Sequence, residues 1–119
     1  MSKLKIEVIK YSKKLIITNL SALRSGNISV RANEKGVDGF FITPSGRKYG
    51  SLKPKDIVFV SLKGTYNKKK GKPSSEWRFH QDIYVNKKEA KAIVHAHSTV
   101  LLLYQLIKKV FQLFTIWLQ

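Results

Sequence analysis

At 119 residues, 43% of them apolar, the chain has the size of one small globular domain and is too short for two. It contains no cysteine, which excludes a disulfide framework and any thiolate metal site, so a metal would have to be held by imidazole and carboxylate. The 23 Lys and Arg against 7 Asp and Glu give a formal net charge of +16, which favours anionic partners.

Nucleic acid is the first anionic partner that this charge suggests. However, the basic residues are spread from Lys3 to Lys109, and the sequence has no aromatic-rich RNP strand and no GXXG loop. A nucleic-acid-binding module therefore stays a lower-ranked alternative. Lysines interrupt residues 1–14 throughout, so no secretory signal is recognised and we expect a cytoplasmic protein.

The first part of the chain predicts one helix followed by a hairpin. Four apolar residues at helix-like spacing indicate a helix that closes near Gly26: Leu15, Ile16, Leu20 and Leu23. The preceding KLKIEVIKY alternates and fits a strand or a helix. GNISVRA and GVDGFFITPSG then predict two short strands, joined by a polar turn at residues 33–36.

The middle of the chain predicts a buried strand followed by a solvated loop. DIVFVSL is a continuous apolar run of strand length, which is typical of a strand buried on both faces in the middle of a sheet. KGTYNKKKGK, residues 63–72, has five lysines and two glycines and predicts a solvated hairpin loop.

The next segment carries all three histidines. Ser74 and Ser75 precede EWRFHQDIY, whose apolar and aromatic spacing predicts a helix that starts at Glu76 with serine capping. KAIVHAH returns to strand character. Because side chains alternate across a strand, His95 and His97 should point to the same face.

Residues 98–119 have 14 apolar residues in 22, with the polar ones in one helical stripe, and predict an apolar helix. Two central lysines would each cost about 2.5 to 3.5 kcal/mol in a bilayer, so a membrane span is disfavoured. We expect this helix to pack against the same chain or a partner subunit. Together the segments predict a mixed α/β fold.

Two groups of residues could carry chemistry. His95 and His97 match what a zinc site needs from two ligands, although one could instead hydrogen-bond in the core while the other faces a cleft. Glu76 and its serines fit an ordinary helix N-terminus, or else a phosphate-binding terminus with Glu76 as the proton carrier. SGNIS and TPSG add small polar donors and glycines at strand ends.

Four segments together resemble the class II aldolase family, in the group of zinc-dependent fuculose-phosphate aldolases and ribulose-phosphate 4-epimerases. They are SGNISVR, GFFITPSGRKYGSLKPKDIVFV, GKPSSEWRFHQDIY and KAIVHAHS, in order, over roughly residues 25–98. The resemblance implies a three-layer α/β/α fold whose central, mainly antiparallel sheet is flanked by helices. Residues 1–98 would be the N-terminal portion of such a domain, C-terminally incomplete, and residues 99–119 an apolar helical tail.

The resemblance also implies roles for individual residues. Glu76 would be the acid/base, and His95 and His97 would ligate zinc. The substrate phosphate would be surrounded by Gly26, Asn27, Ser45, Gly46, Ser74 and Ser75. The implied reaction is retro-aldol cleavage of a phosphorylated sugar through an enediolate, in a homotetramer.

The sequence departs from the family at the metal site, because the family's third zinc histidine lies downstream and no histidine follows His97 here. Glu76 could complete the ligand set only by giving up its role as a free base. A catalytically inactive, truncated remnant is therefore the alternative to an active enzyme. Within the enzyme class, an epimerase and a dehydratase remain open beside an aldolase.

Overall fold

The computed structural model describes residues 2–17, 26–95 and 115–117. These residues form helices α1 (Ser2–Ile17) and α2 (Trp77–Asn86) and strands β1 (Asn27–Glu34), β2 (Val37–Ile42), β3 (Val58–Ser61), β4 (Ala92–His95) and β5 (Thr115–Trp117). Short 3₁₀ turns cover Tyr49–Ser51, Pro54–Asp56 and Lys68–Lys70.

The strands form one sheet in the order β3-β2-β1-β4-β5. Every pairing is antiparallel except that of β4 with β5, which confirms the mainly antiparallel sheet. The predicted hairpin is β1–β2, with the two-residue turn Lys35–Gly36. Both turn residues have positive φ, 52° and 85°, which is the backbone that matches the twist of the two strands. Asn33 Oδ1 accepts a hydrogen bond from the Gly36 N–H and closes the turn.

Each face of the sheet packs on its own layer, which confirms the three-layer arrangement. On one face, Val8 and Ile9 of α1 pack with a cluster that includes Ile28, Phe41 and Val94. On the other face, Ile83 and Tyr84 of α2 pack with Phe40, Ile42, Val58, Val60 and Ile93. Neighbouring residues of one strand, such as Phe40 and Phe41, enter opposite clusters because side chains alternate across the sheet.

The position of β3 differs from the prediction. Val58 and Val60 are buried, as expected, but β3 lies at an end of the described sheet and pairs with β2 alone among the described strands. A continuous apolar run reports burial on both faces and carries no information on the number of neighbouring strands. Both faces of β3 are covered, since Val58 joins the α2 cluster while Phe59 packs on the α1 cluster.

Helix predictions have mixed outcomes. KLKIEVIKY lies within α1, which decides between the strand and helix alternatives, and the predicted end of that helix near Gly26 falls on residues outside the described ones. The lysine-rich stretch is an exposed loop, but it joins β3 to α2 and is no hairpin. Within the predicted helical tail, residues 115–117 form strand β5, so the helix is wrong there. The rest of the tail, residues 99–114 and 118–119, lies outside the described part of the chain.

No helix in the described residues combines the length and the apolar content that crossing a membrane requires.

Candidate active site

Four segments of the chain meet at one end of the sheet. They are the start of β1, the residues after β2, the residues before α2 and the end of β4. Backbone hydrogen bonds join them: the Thr43 N–H donates to the Ile28 carbonyl at 3.0 Å, and the Ser74 N–H donates to the Thr43 carbonyl at 2.9 Å. Asn27 lies directly opposite His95 in the pairing of β1 with β4.

Glu76 lies at the centre of this end of the sheet. One of its oxygens, Oε2, accepts a hydrogen bond from Asn27 Nδ2 at 2.6 Å and lies 2.8 Å from His95 Nδ1. The other oxygen, Oε1, takes no hydrogen bond from the residues that the structure describes. The His95 side chain is fully buried, whereas that of Glu76 is 33% exposed. The Glu76 carboxylate therefore contacts the buried His95 and is also accessible to solvent.

The helix after Glu76 begins one residue later than predicted, at Trp77, because Glu76 occupies the N-cap position. Its carboxylate makes no capping hydrogen bond and contacts the sheet instead. Ser74 Oγ accepts a hydrogen bond from the Glu76 N–H at 3.3 Å, which is the local contact that the serine pattern predicted. This turn, together with the tie of Ser74 to Thr43, holds Glu76 toward the sheet.

The predicted phosphate-binding serines lie in two adjacent loops. The Ser45 N–H donates to the Lys72 carbonyl at 3.0 Å, and Pro44 bridges to Pro73, so the loop after β2 is joined to the loop before α2. Ser75 is exposed and Ser45 half-buried. Gly46 has φ 72°, which favours glycine, and a Cβ there would meet no atom within 4 Å. The two loops together form an open, polar rim beside Glu76.

Gly26 and Asn27 are buried at the start of β1, and their polar groups contact the protein itself. The Gly26 carbonyl accepts a hydrogen bond from the Tyr49 hydroxyl. Both ends of the Asn27 amide are engaged, one by Glu76 and the other by His80. A direct side-chain contact between Asn27 and a substrate phosphate stays a prediction, and the structure gives this side chain a second role in holding Glu76.

Tyr49 and Thr43 belong to the site and were missed by sequence reasoning. Burial raises the pKa of the Tyr49 hydroxyl, Thr43 opposes the rise by hydrogen bonding, and the charge of Glu76 adds to it. Tyr49 therefore stays a neutral donor. No spacing rule singles out a lone tyrosine in RKYGSL, and its contact with Gly26 arises only from the fold.

Sequence reasoning also missed a row of polar side chains on β1 that faces α2. Asn27, Ser29 and Arg31 alternate with Ile28, Val30 and Ala32, so they share one sheet face. Each contacts a residue of α2 or its flanks: Ser29 Oγ lies 2.6 Å from His80 Nδ1 and 2.8 Å from the Tyr84 hydroxyl. Period-2 polarity in a strand whose partner strands are apolar is a signal that could have found this row.

The donors near Glu76 are of the type that zinc accepts, an imidazole nitrogen and a carboxylate oxygen. His95 and Glu76 supply one of each, and their proximity fits two positions of a metal site. Across residues 2–17, 26–95 and 115–117, no group of three or more candidate ligands lies together. His97, the further ligand that the sequence predicts, lies outside the described residues.

A separate cleft of about 740 Å³ contains none of the predicted site residues. It lies beside β3, and its lining includes Lys5, Lys35, Lys55 and Lys70 with Glu34. It is a basic surface cleft away from the site around Glu76.

Comparison with known proteins adds three findings of sequence similarity. The protein-family model described as Class II Aldolase and Adducin N-terminal domain matches residues 6–115. A 5-methylthioribulose-1-phosphate/5-deoxyribulose-1-phosphate aldolase from Rhodospirillum rubrum is 42% identical over 97 residues, which cover 79% of this chain and 42% of that protein. An L-fuculose phosphate aldolase from Escherichia coli K12 is 37% identical over 97 residues, which cover 82% of this chain and 43% of that protein.

The fold is also similar to a solved structure. An L-fuculose 1-phosphate aldolase superposes with a TM-score of 0.74 at 38% identity, and the match covers 87% of this chain and 48% of that one. The matched part of this chain thus covers less than half the length of each of these three proteins.

Proposed function

We propose, from the premise that this chain belongs to the class II aldolase and adducin N-terminal domain family, that it carries the acid/base and part of the metal site of a sugar-phosphate aldolase. The observation that supports this most is the contact of one Glu76 oxygen with both Asn27 and His95, beside two loops of small hydroxyl donors. A carboxylate and an imidazole side by side are the elements that metal-assisted proton transfer requires.

The metal of this proposal is zinc, held by His95 and His97, with Glu76 next to them. When bound, zinc would supply a Lewis acid that polarises the carbonyl and hydroxyl oxygens of a ketose phosphate. Two expectations stay predictions: the tetramer that the family resemblance implies, and the cytoplasmic location.

Glu76 would move the proton. Retro-aldol cleavage of a ketose 1-phosphate breaks the bond between C3 and C4, removes a proton from the C4 hydroxyl and delivers one to C3, giving a triose phosphate and an aldehyde. Oε2 of Glu76 is held by Asn27, whereas Oε1 has no described partner and is the oxygen available to carry a proton. Partial exposure lets the carboxylate reach a bound substrate while its inner oxygen stays fixed.

The loops after β2 and before α2 would bind the substrate phosphate. Ser45 and Ser75 supply hydroxyls at the rim, and the positive φ of Gly46 keeps the backbone open to an oxyanion. The chain's excess of positive charge would favour the approach of such a dianion.

The test measures zinc binding by the purified chain, then cleavage of L-fuculose 1-phosphate and 5-deoxyribulose 1-phosphate with zinc added. We expect zinc to bind and one of the two to release triose phosphate. Glu76→Gln should lower kcat by about 100-fold or more, because acid/base catalysis contributes about 10²- to 10⁴-fold. Glu89→Gln, at an exposed position, is the matched control and should leave kcat unchanged.

The alternative is the catalytically inactive remnant. A catalytic zinc normally has three protein ligands, and among the candidate residues of this chain Glu76 would have to be the third ligand and the base at once. No zinc binding and no cleavage of either ketose phosphate would support the remnant and overturn the enzyme.

A further inference from the structure

His80 of α2 is fully buried against β1 and hydrogen-bonds through both ring nitrogens. Nδ1 lies 2.6 Å from Ser29 Oγ, and Nε2 contacts Asn27 Oδ1. Ser29 Oγ in turn lies 2.8 Å from the Tyr84 hydroxyl. These contacts form a continuous chain of five side chains from Tyr84 to Glu76, which we call the β1–α2 chain: Tyr84, Ser29, His80, Asn27 and Glu76.

The direction of every hydrogen bond in the β1–α2 chain follows from the carboxylate at its end. An ionised carboxylate can only accept, so the Asn27 NH₂ group donates to Glu76. Asn27 Oδ1 then faces His80 and accepts from Nε2–H. A neutral imidazole with its proton on Nε2 accepts at Nδ1, so the Ser29 hydroxyl donates to His80 and is left to accept from the Tyr84 hydroxyl.

The spacing of the two elements makes this chain possible. Two residues of a strand rise about 6.6 to 6.8 Å, and four residues of a helix rise about 6.0 Å. Every second residue of β1 therefore lies nearly level with every fourth residue of the helix and its N-cap. The residues that match in this way are Asn27, Ser29 and Arg31 on β1, Glu76 at the N-cap, and His80 and Tyr84 on α2. Each of these strand residues can therefore contact two successive residues of that helical series. This accounts for the continuity of the β1–α2 chain.

His80 has no nitrogen left for a metal or a substrate. Both ring nitrogens are engaged inside the protein, and the side chain has no exposure to solvent. Burial, and after it the charge of His95, lower the pKa of His80 to about 3, so the ring is neutral. The hydroxyl pKa of Tyr84 is raised by burial, which keeps Tyr84 a donor at the far end of the chain.

We propose that His80 is a positioning residue: as the Nε2–H tautomer it fixes the orientation of the Asn27 amide, and through Asn27 it fixes the Glu76 carboxylate beside His95. Without the donor at Nε2, the Asn27 amide can rotate its oxygen toward Glu76, where two acceptors repel. The effect on catalysis rests on the proposed function of Glu76, whereas the effect on Asn27 does not.

The first test uses the unaltered full chain. A long-range ¹⁵N–¹H correlation spectrum distinguishes the Nε2–H and Nδ1–H tautomers of a neutral imidazole. We expect His80 to give the pattern of the Nε2–H tautomer at neutral pH. The Nδ1–H pattern would overturn the proposal, because His80 would then accept where Asn27 also accepts.

The second test compares two variants that each keep half of the ring's hydrogen bonding. His80→Gln can still place an amide donor near Asn27 Oδ1, whereas His80→Asn keeps a polar atom near Ser29 and is too short to reach Asn27. The Asn27 side-chain NH₂ resonance should stay in place in His80→Gln and move toward that of a free amide in His80→Asn. An unmoved resonance in His80→Asn would overturn the proposal.

Turnover then separates positioning from the function itself. If the chain cleaves a ketose phosphate, His80→Asn should lower kcat about 10- to 100-fold with little change in KM, the range found when a supporting hydrogen bond is lost, and His80→Gln should restore most of it. Equal kcat for all three proteins would overturn the catalytic part. If His80 has the predicted tautomer and the Asn27 resonance moves in His80→Asn, but the unaltered chain shows no turnover, positioning stands and the enzyme proposal fails.

Discussion

Asn27 and His95 face each other across adjacent strands, and a single oxygen of Glu76 contacts both side chains, at 2.6 Å and 2.8 Å. The sheet register thus sets the position of the carboxylate, because a shift of β4 by one residue would turn His95 to the opposite face. The site depends on the same packing that stabilises the fold. Changes in the buried polar contacts near Glu76 should therefore affect stability in measurable ways.

Ser29 is the residue whose loss should disturb the β1–α2 chain most. Ser29→Ala removes the partner of both His80 Nδ1 and the Tyr84 hydroxyl, leaving two buried polar groups unsatisfied. We expect it to lower the free energy of unfolding by about 2 to 4 kcal/mol. Tyr84→Phe removes only the terminal hydroxyl and should cost about 1 kcal/mol. Urea unfolding followed by tryptophan fluorescence measures both.

The control for this pair is Ser51→Ala, an exposed serine whose hydroxyl donates to the Lys48 carbonyl. Its effect should stay within about 0.5 kcal/mol. If Tyr84→Phe costs more than Ser29→Ala, Ser29 is not the link between the two rings and the assigned chain is wrong.

Stability should also depend on pH through His80. Its pKa is about 3 in the folded chain and close to 6.5 in the unfolded chain, so between these values the unfolded chain binds a proton that the folded chain does not. The contribution of His80 is complete above pH 6.5 and is lost as the pH falls toward 3. Between these two pH values, His80 contributes up to about 1.4 kcal/mol per pH unit to the slope of the free energy of unfolding against pH.

Other ionisable groups surround His80, so the pH dependence of the free energy of unfolding must be compared between variants. They are Tyr84 on the same helix, Glu76 before it, Arg31 on β1 and His95 on β4. His80→Gln removes the contribution of His80 to the pH dependence and leaves the contributions of the other groups. Between pH 6 and pH 4, the free energy of unfolding of this variant should fall less steeply than that of the unaltered chain. Identical slopes for the two proteins would show that His80 is not a buried neutral imidazole.

Arg31 holds the end of α2 to the sheet. Its Nε donates to the Ala90 carbonyl at 2.8 Å, and its Nη2 donates to the carbonyls of Tyr84 and Lys87 at 2.9 Å and 3.0 Å. The guanidinium also lies 4.9 Å from the centre of the Tyr84 ring. Lysine cannot reproduce this planar fork, so Arg31→Lys should cost about 1 to 3 kcal/mol in urea unfolding.

Arg78→Lys is the matched control, because Arg78 is exposed and lies over the Trp77 ring at 4.5 Å. It should change the free energy of unfolding by less than about 0.5 kcal/mol. Equal losses for the two substitutions would mean that the three carbonyl contacts of Arg31 add nothing beyond its charge.

The sequence predicted the elements around the site better than the contacts within it. Alternation and turn residues located the β1–β2 hairpin, and the serines before Glu76 located the start of α2 to within one residue. The predicted place of β3 in the middle of the sheet was wrong for the described strands, because an apolar run indicates burial and not strand order. Long-range pairing is set by the whole chain, and no local pattern encodes it.

Among the candidate site residues, too, those with a local sequence signal were predicted, and those defined by long-range contacts were missed. Glu76 and His95 were recognisable from local sequence and a family resemblance, and the structure brings them into contact. His80 lies inside the predicted helix segment EWRFHQDIY, and its local sequence did not indicate that it contacts the amide that in turn contacts Glu76. Its role depends on Asn27 and Ser29, about 50 residues earlier, so it is visible only once β1 and α2 pack together.

A substitution at Gly39 tests the pairing of β2 with β3. A Cβ at Gly39 would lie 2.2 Å from the Val60 carbonyl oxygen and 2.9 Å from the Ser61 Cα, so the backbone itself would have to shift. We expect Gly39→Ala to lower the free energy of unfolding by about 3 kcal/mol or more, at the upper end of overpacking costs. Gly50→Ala, where a Cβ meets no atom within 4 Å, should stay within about 0.5 kcal/mol of the unaltered chain. Thermal and urea unfolding of the two variants measure the difference, and a Gly39→Ala chain as stable as Gly50→Ala would contradict the register of β2 against β3.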